Sequence, residues 1–80
     1  MTDIEIFEII QNIIEEKIGE EKENITLEAD LFDDIGFDSL DVVEVVMEVE
    51  KEFNIAIPDD KIERVRTVQQ YVDLVQQSVK

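Results

Sequence analysis

Asp38-Ser39-Leu40-Asp41-Val42-Val43-Glu44-Val45-Val46-Met47-Glu48-Val49-Glu50-Lys51-Glu52-Phe53 can be written as a helix or as a strand, and the choice settles the fold class. For a strand speak five valines and the alternation of Val43, Val45, Met47 and Val49 with Glu44, Glu48 and Glu50. Against it, Ser39 to Phe53 holds neither Gly nor Pro, runs about four helical turns, and follows Asp38, an N-cap residue with Asp41 at the third helical position. Length and capping favour the helix.

The flanking sequence agrees. From Ile4 to Ile18, Ile6, Phe7, Ile10, Ile13, Ile14 and Ile18 recur at threes and fours between acids and amides. Thr2 with Glu5 reads as a capping box before this helix, and Gly19 as its C-terminal stop. Glu20 to Asp38 has no sustained period. Its Ile25, Leu27, Leu31, Phe32 and Ile35 are expected to pin a long connection to the core, with a short helical turn near Leu31 to Asp34 and a positive φ at Gly36. After the short apolar segment Asn54-Ile55-Ala56-Ile57, Pro58-Asp59-Asp60 opens at most two helical turns through Val65. Thr67 with Gln70 caps a last helix whose core face is Val68, Tyr71, Val72 and Val75. The expectation is an all-α fold: a small four-helix bundle, three main helices plus a short third one, with a long first loop. One domain spans 1–80, without linkers or repeats.

Composition narrows the function. Twenty-two acids against seven bases leave a formal charge of −15 over 80 residues, with no His and no Cys. That removes disulfides, thiol chemistry, Cys-based zinc sites and every nucleophile activated by histidine. A general acid or base would have to be a carboxylate, a lysine or Tyr71, in a chain too short to build a deep pocket around it; an enzyme is not expected and no catalytic residue is assigned. The charge repels nucleic acid and anionic lipid and attracts basic protein patches. No apolar run exceeds the length of Val45-Val46-Met47, which is far too short to span a membrane, and Met1 to Glu5 lacks a basic region. A soluble cytoplasmic monomer is the expectation. Metal binding is not expected either: with Gly36 at the sixth place of an EF-hand loop, Leu31 and Ile35 occupy ligand positions.

Projected as a helix, Val42, Val45, Val46, Val49 and Phe53 share one sector, whereas Leu40, Val43 and Met47 share another, with Glu50 between them. A carboxylate inside one continuous core would be costly, so the apolar arc divides into a buried face and a partly exposed stripe. That stripe, edged by Asp41, Glu44, Glu48 and Glu50, suits a partner carrying apolar residues amid Lys and Arg. The plainer reading places Leu40 and Met47 in the core and the acids on a solvated face. Ser39 likewise has two readings. It is a helix cap, or it is a hydroxyl whose phosphate ester the first-turn N–H groups and the helix dipole would favour.

Asp33-Asp34-Ile35-Gly36-Phe37-Asp38-Ser39-Leu40-Asp41, Val43-Glu44-Val45-Val46-Met47, Glu50-Lys51-Glu52-Phe53 and Ile57-Pro58-Asp59 together resemble an acyl carrier protein over nearly the whole chain. The resemblance implies that Ser39 receives 4′-phosphopantetheine from coenzyme A through a separate phosphopantetheinyl transferase. The thioester sulfur then lies on the arm, in keeping with a chain that has no Cys. It further implies that Asp38, Leu40, Asp41, Val43, Glu44, Met47 and Glu50 face fatty-acid-synthesis enzymes with basic docking patches. Ile35 stands where the family commonly has Leu, and Lys51 where an acid is frequent; neither touches Ser39. Carriage of polyketide or other specialised acyl groups is the alternative within the family. An unmodified acidic adaptor or a nucleic-acid mimic is the alternative outside it.

Overall fold

The computed structural model describes residues 2–79. Four helices follow in order: α1 (Asp3–Ile18), α2 (Ser39–Phe53), α3 (Asp59–Ile62) and α4 (Val68–Ser78). The three long ones begin at reciprocal capping boxes. Thr2 Oγ1 accepts from Glu5 N at 3.2 Å while Glu5 Oε1 accepts from Thr2 N at 2.9 Å. Asp38 pairs with Asp41, and Thr67 with Gln70, in the same way. Each box satisfies two N–H groups that the helix itself leaves without partners. Gly19 ends α1 at φ 82°, its N–H donating to Glu15 O. Asn54 ends α2 at φ 55°, a left-handed conformation that Asn tolerates better than most side chains.

α1 packs against both α2 and α4. Ile6, Ile10, Ile13 and Ile14 of α1 share one core with Val45, Val46 and Val49 of α2 and with Val68, Tyr71, Val72, Leu74 and Val75 of α4. Full burial of each such aliphatic side chain contributes about 1.5–3 kcal/mol, which offsets the conformational entropy lost on folding. Leu74, not part of the sequence-predicted stripe, widens the core face of α4. Among the described residues no helix is long and apolar enough to cross a membrane.

The long connection departs from expectation in two places. A 3-10 helix at Lys22–Asn24, unforeseen, closes on Glu21 O and is braced by the Gln11 side-chain amide donating to Ile25 O at 2.9 Å. The helical turn expected near Leu31 to Asp34 is present as a single uncontinued turn, with Asp34 N and Ile35 N both donating to Asp30 O at 3.0 Å. Phe32 does not reach the core: it remains 37% exposed, while Ile25, Ala29, Leu31, Ile35 and Phe37 are buried and Leu27 is half-buried. The connection is also stitched to the start of α4. Leu31 N donates to Arg66 O at 2.7 Å, Val68 N to Ala29 O and Gln69 N to Leu27 O, around an isolated bridge between Asp30 and Thr67.

α3 takes one of the at most two turns expected up to Val65, ending at Ile62. Arg64 N and Val65 N donate to Lys61 O and Ile62 O, three residues back, so the chain tightens beyond α3 and delivers Val65 to the core. Ahead of α3, Ile57 is buried, and its N–H donates to Glu50 Oε2 at 2.8 Å.

Tyr71 is buried, and among the described residues its hydroxyl has no hydrogen-bond partner. Burial first, and the charge of Glu50 second, hold its pKa well above the ordinary 10.0. The unfolded chain therefore releases this proton before the native one does. The stability tied to Tyr71 is intact below pH about 10 and declines as pH climbs toward the raised native value. In an alkaline titration, tyrosinate absorbance and helical circular dichroism are expected to change together in one cooperative step, and Tyr71→Phe to move that step to higher pH. Tyrosinate forming near pH 10 with the helices intact would contradict this.

Candidate functional site

The site is built where the long connection enters α2. Gly36, at φ 92°, turns the chain; a Cβ there would meet no atom within 4 Å, so the demand for glycine is torsional and not steric. Phe37 then buries its ring, and its N–H donates to Leu31 O at 2.8 Å, closing a loop whose two ends lie together. Asp38 follows in extended conformation, one carboxylate oxygen accepting from Asp41 N at 2.9 Å and its own N–H donating to Asp41 Oδ2 at 3.1 Å.

This settles one of the two readings of Ser39. Asp38, not Ser39, is the N-cap. Ser39 is the first residue of α2, exposed, and its hydroxyl makes no hydrogen bond within the described residues. The N–H groups of Ser39 and Leu40 stand in the first turn, where a helix offers them no acceptor of its own. A phosphate ester on the Ser39 oxygen fits here: nothing competes for the hydroxyl, and the positive end of the dipole favours the charge. Asp38 and Asp41 oppose that charge, so a modifying protein would have to supply a compensating cation.

α2 divides as its projection indicates. Val45, Val46 and Val49 are buried, whereas Leu40 is 62%, Val43 54% and Met47 63% exposed. Glu44 is exposed beside them, and Glu48 is half-buried with its Oε2 4.0 Å from Lys17 Nζ. Glu50 sits between the two sectors, half-buried, and one of its oxygens is committed to Ile57 N. Three large apolar side chains thus lie uncovered in a row on a surface edged by carboxylates.

Two residues close to the site had no signal in the sequence pattern. Arg66 donates through Nε and Nη2 to Asp30 Oδ2, each at 3.2 Å, and lies 5.3 Å from the Phe32 ring centroid. Phe32 in turn meets Phe37 edge-on, centroids 6.5 Å apart. The N–H of Asp33, that of Phe32 and the Arg66 guanidinium hold the Asp30 carboxyl below the usual Asp range. A cavity of about 120 Å³ lies elsewhere, between α1 and α4, lined by Asp3, Ile4, Phe7, Leu27, Gln69 and Val72; no residue of α2 reaches it.

Comparison with known proteins places this geometry. Residues 8–75 match the family described as "Phosphopantetheine attachment site". The chain is 48% identical over 79 residues to a protein of Guillardia theta named "Acyl carrier protein", covering 99% of this chain and 98% of that one. It is 45% identical over 75 residues to a protein of the same name from Chlorobium phaeobacteroides, covering 94% and 96%. Among solved structures it is similar to a putative acyl carrier protein from Mycobacterium tuberculosis, with a TM-score of 0.84 and 32% identity over 90% of this chain and 96% of that one.

The charge has a cost that the fold shows. Against a net charge of −15 the described residues form three ion pairs, two of them from Arg66 alone. Self-repulsion among the remaining acids is screened by salt. The melting temperature is therefore expected to rise between about 0.02 and 0.5 M NaCl, ionic strengths over which the Debye length falls several-fold. A melting temperature that stayed flat or fell would show that repulsion does not limit this fold.

Proposed function

The chain belongs to the acyl carrier protein family, whose members are carriers and not catalysts, and we propose that it bears acyl intermediates of fatty-acid synthesis as thioesters on a 4′-phosphopantetheine arm attached to Ser39. The observation that carries this reading is the free, exposed Ser39 hydroxyl at the head of a helix that Asp38 caps in its place. The 4′-phosphopantetheine that such domains attach supplies a thiol, which this Cys-free chain lacks. As the pyrophosphate P–O bond of coenzyme A breaks and adenosine 3′,5′-bisphosphate leaves, the pantetheine-bearing phosphorus would form its new bond to the hydroxyl oxygen of Ser39. Its proton would pass to the transferase, because no His stands in this chain to receive it.

The rest of the surface serves partners. Asp38, Leu40, Asp41, Val43, Glu44, Met47 and Glu50 form the proposed docking face for the phosphopantetheinyl transferase and for fatty-acid-synthesis enzymes with basic patches. The uncovered Leu40, Val43 and Met47 offer apolar contact, and the carboxylates around them steer a basic partner and set its register. Glu50 contributes from the edge of this face, since one of its oxygens already holds Ile57. Buried Val45, Val46 and Val49 keep the face rigid from behind.

Incubation with coenzyme A, magnesium and a promiscuous phosphopantetheinyl transferase is expected to add the mass of one phosphopantetheine to the wild-type chain and none to Ser39→Ala. A folded wild-type chain that gained nothing would turn the reading toward an unmodified adaptor. Glu44→Lys, exposed and outside the core, is expected to lower turnover by partner enzymes about tenfold, as charge reversal at a steering contact does, with an unchanged circular dichroism spectrum. Unchanged kinetics with several partners would remove Glu44 from the docking face.

A further inference from the structure

We infer that Arg66 is a positioning residue for the modification of Ser39: its side chain clamps shut the loop over residues 30–38, whose far end caps α2. The inference rests on Ser39 being the attachment residue. Arg66 and Ser39 belong to different segments, and two routes connect them. Along the backbone, Arg66 O accepts from Leu31 N at 2.7 Å, Leu31 O accepts from Phe37 N at 2.8 Å, and Asp38, the next residue, caps the helix that Ser39 begins. Through side chains, the Arg66 guanidinium reaches Asp30 twice at 3.2 Å and Asp33 at 3.5 Å, lies over Phe32, and through Phe32 meets the buried ring of Phe37.

Asp30 is the hub of the clamp. Its Oδ1 accepts from Phe32 N at 2.8 Å and Asp33 N at 2.9 Å, shaping the turn, while Oδ2 takes the guanidinium. One carboxylate thus joins the turn to Arg66, and planar bidentate contact fixes direction as well as distance. The segment needs such restraint. Gly36 gives it a freely turning joint, and Phe32 at its tip is exposed, so hydrophobic burial does not hold the tip down. Without the clamp the backbone stitches remain, but the loop samples conformations in which the Asp38 cap and Ser39 are displaced.

The consequence is specific. A partner that binds the ordered loop alone meets a smaller binding-competent fraction, which raises the apparent KM and leaves the chemical step unchanged. The full chain would be compared as wild type, Arg66→Gln, Asp30→Asn and the double variant. The readouts are kcat and KM for transfer from coenzyme A by the phosphopantetheinyl transferase, and amide exchange over residues 31–41 and in α1 and α4. Asp30→Asn leaves an amide oxygen to accept from Phe32 N and Asp33 N and puts an NH2 donor where the guanidinium is bound, so it tests the clamp even if Arg66→Gln folds poorly.

Each single variant is expected to raise KM about three- to fivefold at unchanged kcat, on the scale of one networked surface ion pair. The double variant should be no worse than Arg66→Gln alone, because that variant already removes the contact to Asp30 together with those to Asp33 and Phe32. Exchange should quicken over 31–41 and stay slow in α1 and α4. Unchanged KM in all three variants, with wild type modified normally, overturns this inference alone. Multiplying effects in the double variant overturn it too, by showing that Arg66 and Asp30 act separately on the transferase. A wild-type chain that accepts no arm overturns the attachment reading and this inference with it.

Discussion

α2 buries one side and leaves the other bare, and the remainder of the molecule is arranged around that division. Its Val45, Val46 and Val49 enter a core shared with the isoleucines of α1 and the apolar face of α4. Dense packing on that side fixes the rotation of α2 about its axis. Once the rotation is fixed, Leu40, Val43 and Met47 have no protein to cover them. Ser39 lies nearly two turns ahead of Val45, the first buried valine, beyond the reach of that packing.

A row of exposed apolar side chains is ordinarily an aggregation liability. Here the carboxylates around it, on a chain of net charge −15, repel like-charged surfaces and suit the basic partners proposed above. The price is self-repulsion in a fold with few ion pairs, and the local contacts compensate where order matters most. Three capping boxes hold the long helices at their starts, and Gln11 and the Asp30–Arg66 pair hold the two ends of the long connection. Glu50 serves both sides of the division, half-buried against Ile57 N while its charge helps keep Tyr71 un-ionised.

Much of the fold was legible without coordinates because its signals are local. A capping box links residues three apart, and a stop at Gly19 or a bend at Gly36 depends on one residue's torsional freedom, so none of them waits for tertiary contact. The split of α2 was legible for a related reason: an acid at Glu50, between two apolar sectors, is incompatible with a single continuous core. The failures were non-local. Phe32 has the composition of a core residue, yet Arg66 and the edge of Phe37 receive it at the surface. α3 stops at Ile62, and the tighter turns after it bring Val65 into a core that the short-range pattern does not describe.

By itself, the sequence determined where the long helices begin, where α1 ends, which residues of α2 could face outward, and that any thiol must come from an attached group. Each follows from chemistry within one turn of helix or from the absence of a residue type. The tertiary structure decided that Leu40, Val43 and Met47 stay uncovered, that Glu50 is partly spent on Ile57, and that Asp30 finds Arg66 at a separation of 36 residues. Those outcomes depend on which surfaces meet after collapse, and hydrogen-bond partners brought together across that distance leave no periodic trace in the chain.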